Sequence, residues 1–189
     1  MGKPNARERI LEAAGKLFHQ HGYSNVGINE IIKTADTAKA SFYQHFSSKE
    51  ALCEAWLESI HAKSEGWRLD ILENEVSPLS KLNRYFDDLI AYFIASEMRG
   101  CPYTNTCAMV ESEGVMKLIK GHKIALRDFF KTIVEEEYGP SDKVTELANQ
   151  IFLVYSGAAT EAQNIQDLWP IESARKAAVT LFQAYENQG

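Results

Sequence analysis

Apolar residues recur at helical intervals from close to the start of the chain. Ile10, Ala13, Ala14, Leu17 and Phe18 share one face of a helix that opens at Asn5, an N-cap residue, and stops before Gly22, a C-cap glycine. After that stop, Ile28, Ile31, Ile32 and Ala35 again follow the i, i+3, i+4, i+7 spacing, and Phe42 and Phe46 resume it beyond a break at Asp36-Thr37-Ala38. The reading is two short helices joined by a tight turn and covered by a first helix, a helix-turn-helix pattern. If Phe42 and Phe46 face inward, then Lys39, Ala40, Ser41, Tyr43, Gln44 and His45 share the outward faces.

The same periodicity continues to the end. Ser47 or Ser48 caps a helix whose positions Leu52, Trp56, Leu57 and Ile60 lead toward Leu72. Ser77-Pro78 restarts the pattern for Leu82, Phe86, Leu89, Ile90, Phe93 and Ile94, and Gly100-Cys101-Pro102 breaks it. A helix is expected from Asn105 carrying Met109 and Val110, then one from Leu118 to Tyr138 stopped by Gly139-Pro140. Two more follow, one capped by Ser141 and running through Ala162, and one from near Pro170 to Tyr185. No stretch alternates with a period of two, so the fold class is all-α: an N-terminal three-helix helix-turn-helix DNA-binding domain and a C-terminal helical ligand-binding and dimerisation domain. The expected division places the first domain at 1–48 and the second at 49–189, linked by the helix from about 49.

Charge sharpens the division. The chain of 189 residues carries a formal net charge of −6, which argues against a protein that coats nucleic acid through a broad basic surface. Residues 1–50 nevertheless hold seven Lys/Arg against five Asp/Glu, a balance of +2, leaving −8 on the remainder. Only the N-terminal part suits a polyanion. Three cysteines, Cys53, Cys101 and Cys107, have no zinc-type pairing, and the start lacks a signal-peptide or lipidation pattern. A cytoplasmic protein with free thiols and no membrane attachment is expected.

Three fragments at fixed intervals, R-E-R-I-L-E-A-A-G-K-L-F-H-Q-H-G-Y, I-N-E-I-I-K-T-A and A-K-A-S-F-Y-Q-H-F-S-S-K-E-A-L, together spanning Arg7 to Leu52, resemble the DNA-binding segment of the tetracycline-repressor (TetR) family of transcriptional regulators. The G-C-P-Y-T-N-T-C stretch is similar to a Gly-Cys-initiated segment in many of its members. The resemblance implies that Lys39, Ala40, Ser41 and Gln44 lie in the major groove, that Tyr43 and His45 contact backbone or base edges, and that Lys49 meets a phosphate. Side-chain chemistry agrees: lysine donates to guanine O6 and N7, glutamine pairs with adenine, and alanine allows close approach to a thymine methyl. Gly27 and Asn29 join the DNA-binding set because the first amides of the second helix are free to meet a phosphate. The chain departs from the family in two places. Asp36 stands where glycine is usual in the turn, though aspartate tolerates a left-handed conformation, and Gly27 replaces a capping hydroxyl.

Further expectations follow from the resemblance: a homodimeric regulator, a repressor, acting on a pseudo-palindromic operator in double-stranded DNA and released by a small-molecule effector or by an electrophile or oxidant. Its last two helices would form the dimer seam. Candidates to line the effector site or to sense the signal are Phe86, Phe93, Cys101, Tyr103, Cys107, Met109, Phe129, Phe152, Tyr155 and Trp169, of which most are expected to be simple core. No catalytic constellation, phosphate loop or dinucleotide fingerprint is present, and His19 and His21 are two apart and do not share a helical face. The chain is therefore not expected to be an enzyme or to hold a metal or cofactor. The competing readings are a helical small-molecule carrier or enzyme without DNA binding, and a scaffold whose N-terminal helices bind protein.

Overall fold

The structure, a computed structural model, describes residues 4–107 and 109–186. Regular structure among these residues is helical throughout: α1 (Ala6–His21), α2 (Ile28–Thr34), α3 (Lys39–His45), α4 (Lys49–Asn74), α5 (Pro78–Ala95), α6 (Pro102–Cys107), α7 (Glu113–Tyr138), α8 (Asp142–Ile165) and α9 (Trp169–Glu186). The expected all-α class is the one observed. Helix starts follow the local chemistry. Asn5 and Glu8 exchange side-chain-to-backbone hydrogen bonds in a capping box, and Ser77 and Ser80 do the same ahead of Pro78. Ser48 Oγ accepts from the Ala51 N–H and Ser141 Oγ from that of Val144, each closing one otherwise orphaned donor.

Two helix starts differ from the sequence expectation. Helix α6 begins at Pro102 rather than Asn105 and ends at Cys107, so Met109 lies in a turn. A proline in the first turn loses no helical hydrogen bond, so Gly-Cys-Pro starts a helix where it was read as a break alone. Helix α7 begins at Glu113, five residues before Leu118, because Ser112 supplies a carbonyl to the Met116 N–H and Val115 is fully buried.

The chain forms two compact units, the first made of residues up to Lys63 together with Pro102–Gly121, the second of Ser64–Cys101 and the residues from His122 onward. In the first, α1 packs on α2 and α3, and α2 packs on α3. Ile10, Ala14, Phe18, Ile31, Phe42 and Phe46 meet in this core, and Trp56 sets its edge against Phe18 at 5.4 Å between ring centroids. Gly15 makes that contact possible, since a Cβ there would lie 2.8 Å from Trp56 Nε1. Tyr103 is buried in this unit, its hydroxyl donating to the Leu57 carbonyl at 2.9 Å.

The second unit packs α9 against both α8 and α5. Its core joins Leu82, Phe86, Leu89 and Phe93 of α5 to Phe129, Phe130 and Ile133 of α7 and to Ile151, Tyr155 and Ala159 of α8. Tyr85 is at the centre of an aromatic cluster, stacked on Trp67 at 5.0 Å and within 4.9–5.5 Å of Phe130, Phe129 and Tyr155. Edge-to-face and tilted contacts of this kind bury large apolar area while fixing ring orientation.

Candidate nucleic-acid interface

The surface of interest is built on α2 and α3. Phe42 is fully buried and Phe46 nearly so, which turns the rest of α3 outward. Lys39, Ala40, Tyr43, Gln44 and His45 are exposed, Tyr43 by 48%, and Ser41 is half-buried. Among the described residues, the polar ends of Lys39, Tyr43, Gln44 and His45 form no hydrogen bond or ion pair within the protein. Tyr43 is instead held by its ring, packed edge-on against Phe42 at 5.2 Å. Four adjacent polar groups on one short helix, supported from below and unspent above, suit recognition of an external partner.

The turn between α2 and α3 places that helix. Asp36 adopts φ 48, a left-handed conformation that aspartate tolerates better than most residues. Arg9 holds the turn from α1. Its Nε donates to the Ala35 carbonyl at 3.1 Å, its Nη2 to the Asp36 carbonyl at 3.3 Å and its Nη1 to the Pro4 carbonyl at 3.0 Å. Sequence reading counted Arg9 only as a positive charge. No local signal marks it, because two of its acceptors lie 26 and 27 residues away.

Gly27 caps α2 without a side-chain hydrogen bond, and both it and Asn29 are exposed. Lys49, expected at a phosphate, is half-buried, with Nζ 4.1 Å from the centroid of the Tyr23 ring. Partial burial lowers its pKa. Tyr23 also donates to Glu50 Oε1 at 3.2 Å, and burial, reinforced by the Glu50 charge, pushes its phenol up. Hydrogen bonds from its own backbone N–H and from Ser48 hold the Glu50 carboxyl below the usual range. Tyr23, Lys49 and Glu50 thus fasten the segment after α1 to the start of α4, and the sequence reading missed this cluster as well.

The effector candidates separate between the two units. Phe86, Phe93, Phe129 and Tyr155 are buried in the second, Phe152 and Cys101 are half-buried there, and Trp169 is exposed at the start of α9. Tyr103, Cys107 and Met109 belong to the first unit, where Met109 lies beside Gly22 and both Cys107 and Met109 are exposed. The third thiol, Cys53, is fully buried, and burial with the neighbouring Glu54 charge pushes it up to about 12. No group of His, Cys, Asp and Glu among the described residues is arranged to hold a metal, and no helix among them is long and apolar enough to cross a membrane.

The described residues form helices only, and α2 and α3, with the exposed polar face of α3, put the chain in the class of helix-turn-helix proteins. Residues 10–56, the segment from α1 into the start of α4, match the model of the tetR family of bacterial regulatory proteins. It is 34% identical over 89 residues to the HTH-type transcriptional repressor NemR of Escherichia coli strain K12, an alignment covering 47% of this chain and 42% of that one. It is 33% identical over 107 residues to the HTH-type transcriptional regulator LmrA of Bacillus subtilis, covering 54% and 55%. The chain spans about half the length of the curated relatives it matches. Among solved structures, a TetR transcriptional regulator from Legionella pneumophila superposes with a TM-score of 0.84 at 24% identity over 94% of this chain and 97% of that one. The reduced form of E. coli NemR does so with a TM-score of 0.81, also at 24% identity, over 92% and 95%.

Proposed function

We propose that this protein is a site-specific DNA-binding transcriptional regulator, a repressor acting as a homodimer, whose second unit binds the signal that releases it. The observation that carries the reading is the outward face of α3, where Lys39, Tyr43, Gln44 and His45 present polar groups with no partner among the described residues. The negative charge on residues beyond 50 favours recognition of a site over coating of DNA. One helix of seven residues reads few base pairs, so two linked copies are needed for useful affinity, and a two-fold pair calls for a pseudo-palindromic operator.

The dimer seam falls on α8 and α9. Leu153 is 65% exposed on α8, in line with exposed Gly157 and Thr160, and α9 exposes Ala177, Thr180 and Ala184. Small residues of this kind let helices of a second copy approach closely. Release is a population shift, in which the signal favours the conformation with poorly placed DNA-binding helices by its differential affinity. An electrophile or oxidant is the second form of signal: Cys101 is half-buried and Cys107 exposed, whereas Cys53 is too buried and too weakly acidic to react.

The test is fluorescence anisotropy of the protein on the DNA upstream of its own gene, and on sites selected from a genomic pool, across a salt series with random DNA as competitor. Competitor-resistant binding with a steep salt dependence is expected. Tyr43→Phe is expected to weaken it by about tenfold, the loss of one hydrogen bond to a charged group, with helicity unchanged. No selected site, and no difference between specific and random DNA, would leave the carrier reading in its place.

A further inference from the structure

The second unit buries two cations equally deeply, Lys81 and Arg68, each 6% exposed. Lys81 has its counter-charge, since its ammonium bonds both oxygens of Glu136. Arg68 has none. Among the described residues no carboxylate lies within ion-pair distance of it, and its one hydrogen bond runs from Nη1 to Ser64 Oγ at 3.1 Å, one turn back along α4. The carboxylates of Asp70, Glu75 and Asp88 gather instead around Arg84, which is far more exposed, and Asp88 also accepts from the Trp67 indole at 2.7 Å.

This distribution runs against the ordinary economics of charge. A guanidinium carries five donors and stays ionised, so burying it beside a single serine hydroxyl is costly unless something else completes it. The groups that its charge reaches are Tyr85 and Tyr155, whose hydroxyls are hydrogen-bonded to each other and whose rings sit among Phe129 and Phe130. Neither phenol can serve as counter-ion, because burial pushes both well up and keeps them protonated. Two O–H groups share one bond, which leaves one of them to donate elsewhere.

We propose that Arg68 anchors the carboxylate of a small monocarboxylic acid with an apolar body, the acid group taking the open guanidinium donors and a tyrosine hydroxyl while the body lies against the aromatic cluster of Tyr85, Phe129 and Phe130. The inference rests on the reading of the second unit as the effector-binding part and gives that effector a chemical class. A carboxylate matches the planar fork of arginine with two parallel hydrogen bonds, and one unpaired cation calls for one negative charge. An amide of the same shape offers neither the charge nor the second acceptor.

The experiment compares acids with their amides on the full-length protein. Benzoate and the straight-chain acids from butyrate to laurate are titrated by calorimetry and thermal shift, in parallel with benzamide and the corresponding primary amides. At least one acid is expected to bind and raise the melting temperature while its amide does not. Arg68→Met is expected to weaken that acid by about 10- to 100-fold and to melt no lower than the parent when no acid is present, since it removes an unpaired buried charge. Arg68→Lys, which keeps the charge but loses the fork, should fall between the two. Amides that bind as tightly as acids, acids that bind Arg68→Met undiminished, or no binding by any acid of the series would each overturn the proposal. The same acids are added to the operator anisotropy assay. Acid binding through Arg68 with no change in DNA affinity would keep the anchor and remove the effector reading, whereas release of DNA by neutral compounds indifferent to Arg68→Met would do the reverse.

Discussion

Tyr43 and Tyr85 both lie on helices with an aromatic neighbour at their edge, yet they are used in opposite senses. Tyr43, in the first unit, is 48% exposed, and its hydroxyl has no hydrogen-bond partner among the described residues. Tyr85, in the second, is 1% exposed, stacked on Trp67 and hydrogen-bonded to Tyr155. The contrast extends to the cations, with Lys39 unpaired in solvent and Arg68 unpaired in the interior. Water satisfies the first at no cost, so a free polar face there is compatible with any use. The second has no counter-charge among the described residues and one hydrogen bond, to Ser64, so its chemistry restricts what it can be for.

The largest expected effect tests whether the exposed face depends on the core beneath it. Phe42→Ala removes a fully buried ring and is expected to cost about 3–5 kcal/mol, abolishing operator binding and lowering the melting temperature. Next in size is the alkaline limit of the second unit. Tyrosine in the unfolded chain ionises at about 10, while burial holds Tyr85 and Tyr155 protonated above that. Their contribution to stability is therefore complete below pH 10 and is lost as the pH rises through the folded values. Melting temperatures measured from pH 8 to 11 should fall toward the alkaline end, and less steeply in Tyr155→Phe.

Arg9→Ala strips three backbone carbonyls of their donor and is expected to cost about 1–3 kcal/mol, with faster amide hydrogen exchange at Ala35, Asp36 and Thr37 as the local signature. Tyr43→Phe should be the mildest for stability, within about 0.5 kcal/mol by chemical denaturation, because its hydroxyl forms no hydrogen bond among the described residues. A larger loss would mean that the exposed face is part of the fold and would blunt the distinction between the units.

Much of the first unit was legible in the sequence. The apolar spacing of Ile31, Phe42 and Phe46, the cap at Asn5 and the tolerance of Asp36 for a left-handed turn each depend on neighbours within about one helical turn. The outward residues of α3 then followed by exclusion. The second unit was legible only as helices. The list of ten aromatic, Met and Cys candidates did not distinguish Tyr103, which spends its hydroxyl on Leu57 in the first unit, from Tyr155, which meets Tyr85 in the second. It also omitted Arg68, because a lone arginine on an amphipathic helix reads as a solvated charge.

What the sequence by itself determined is the part governed by short-range rules: the helices, most of their ends, and which face of α3 is left over once the phenylalanines turn inward. Tertiary structure alone decided where long-range partners fall. Arg9 finds two of its acceptors 26 and 27 residues away and Lys81 finds Glu136 55 residues away, while Arg68, equally buried, is given no carboxylate among the described residues. The physical reason is that periodicity fixes which side of a helix is buried but carries no information about which distant side chain arrives there. Burial makes that arrival, or its absence, decisive, since a polar group removed from water must find its partner in whatever the fold, or a ligand, brings to it.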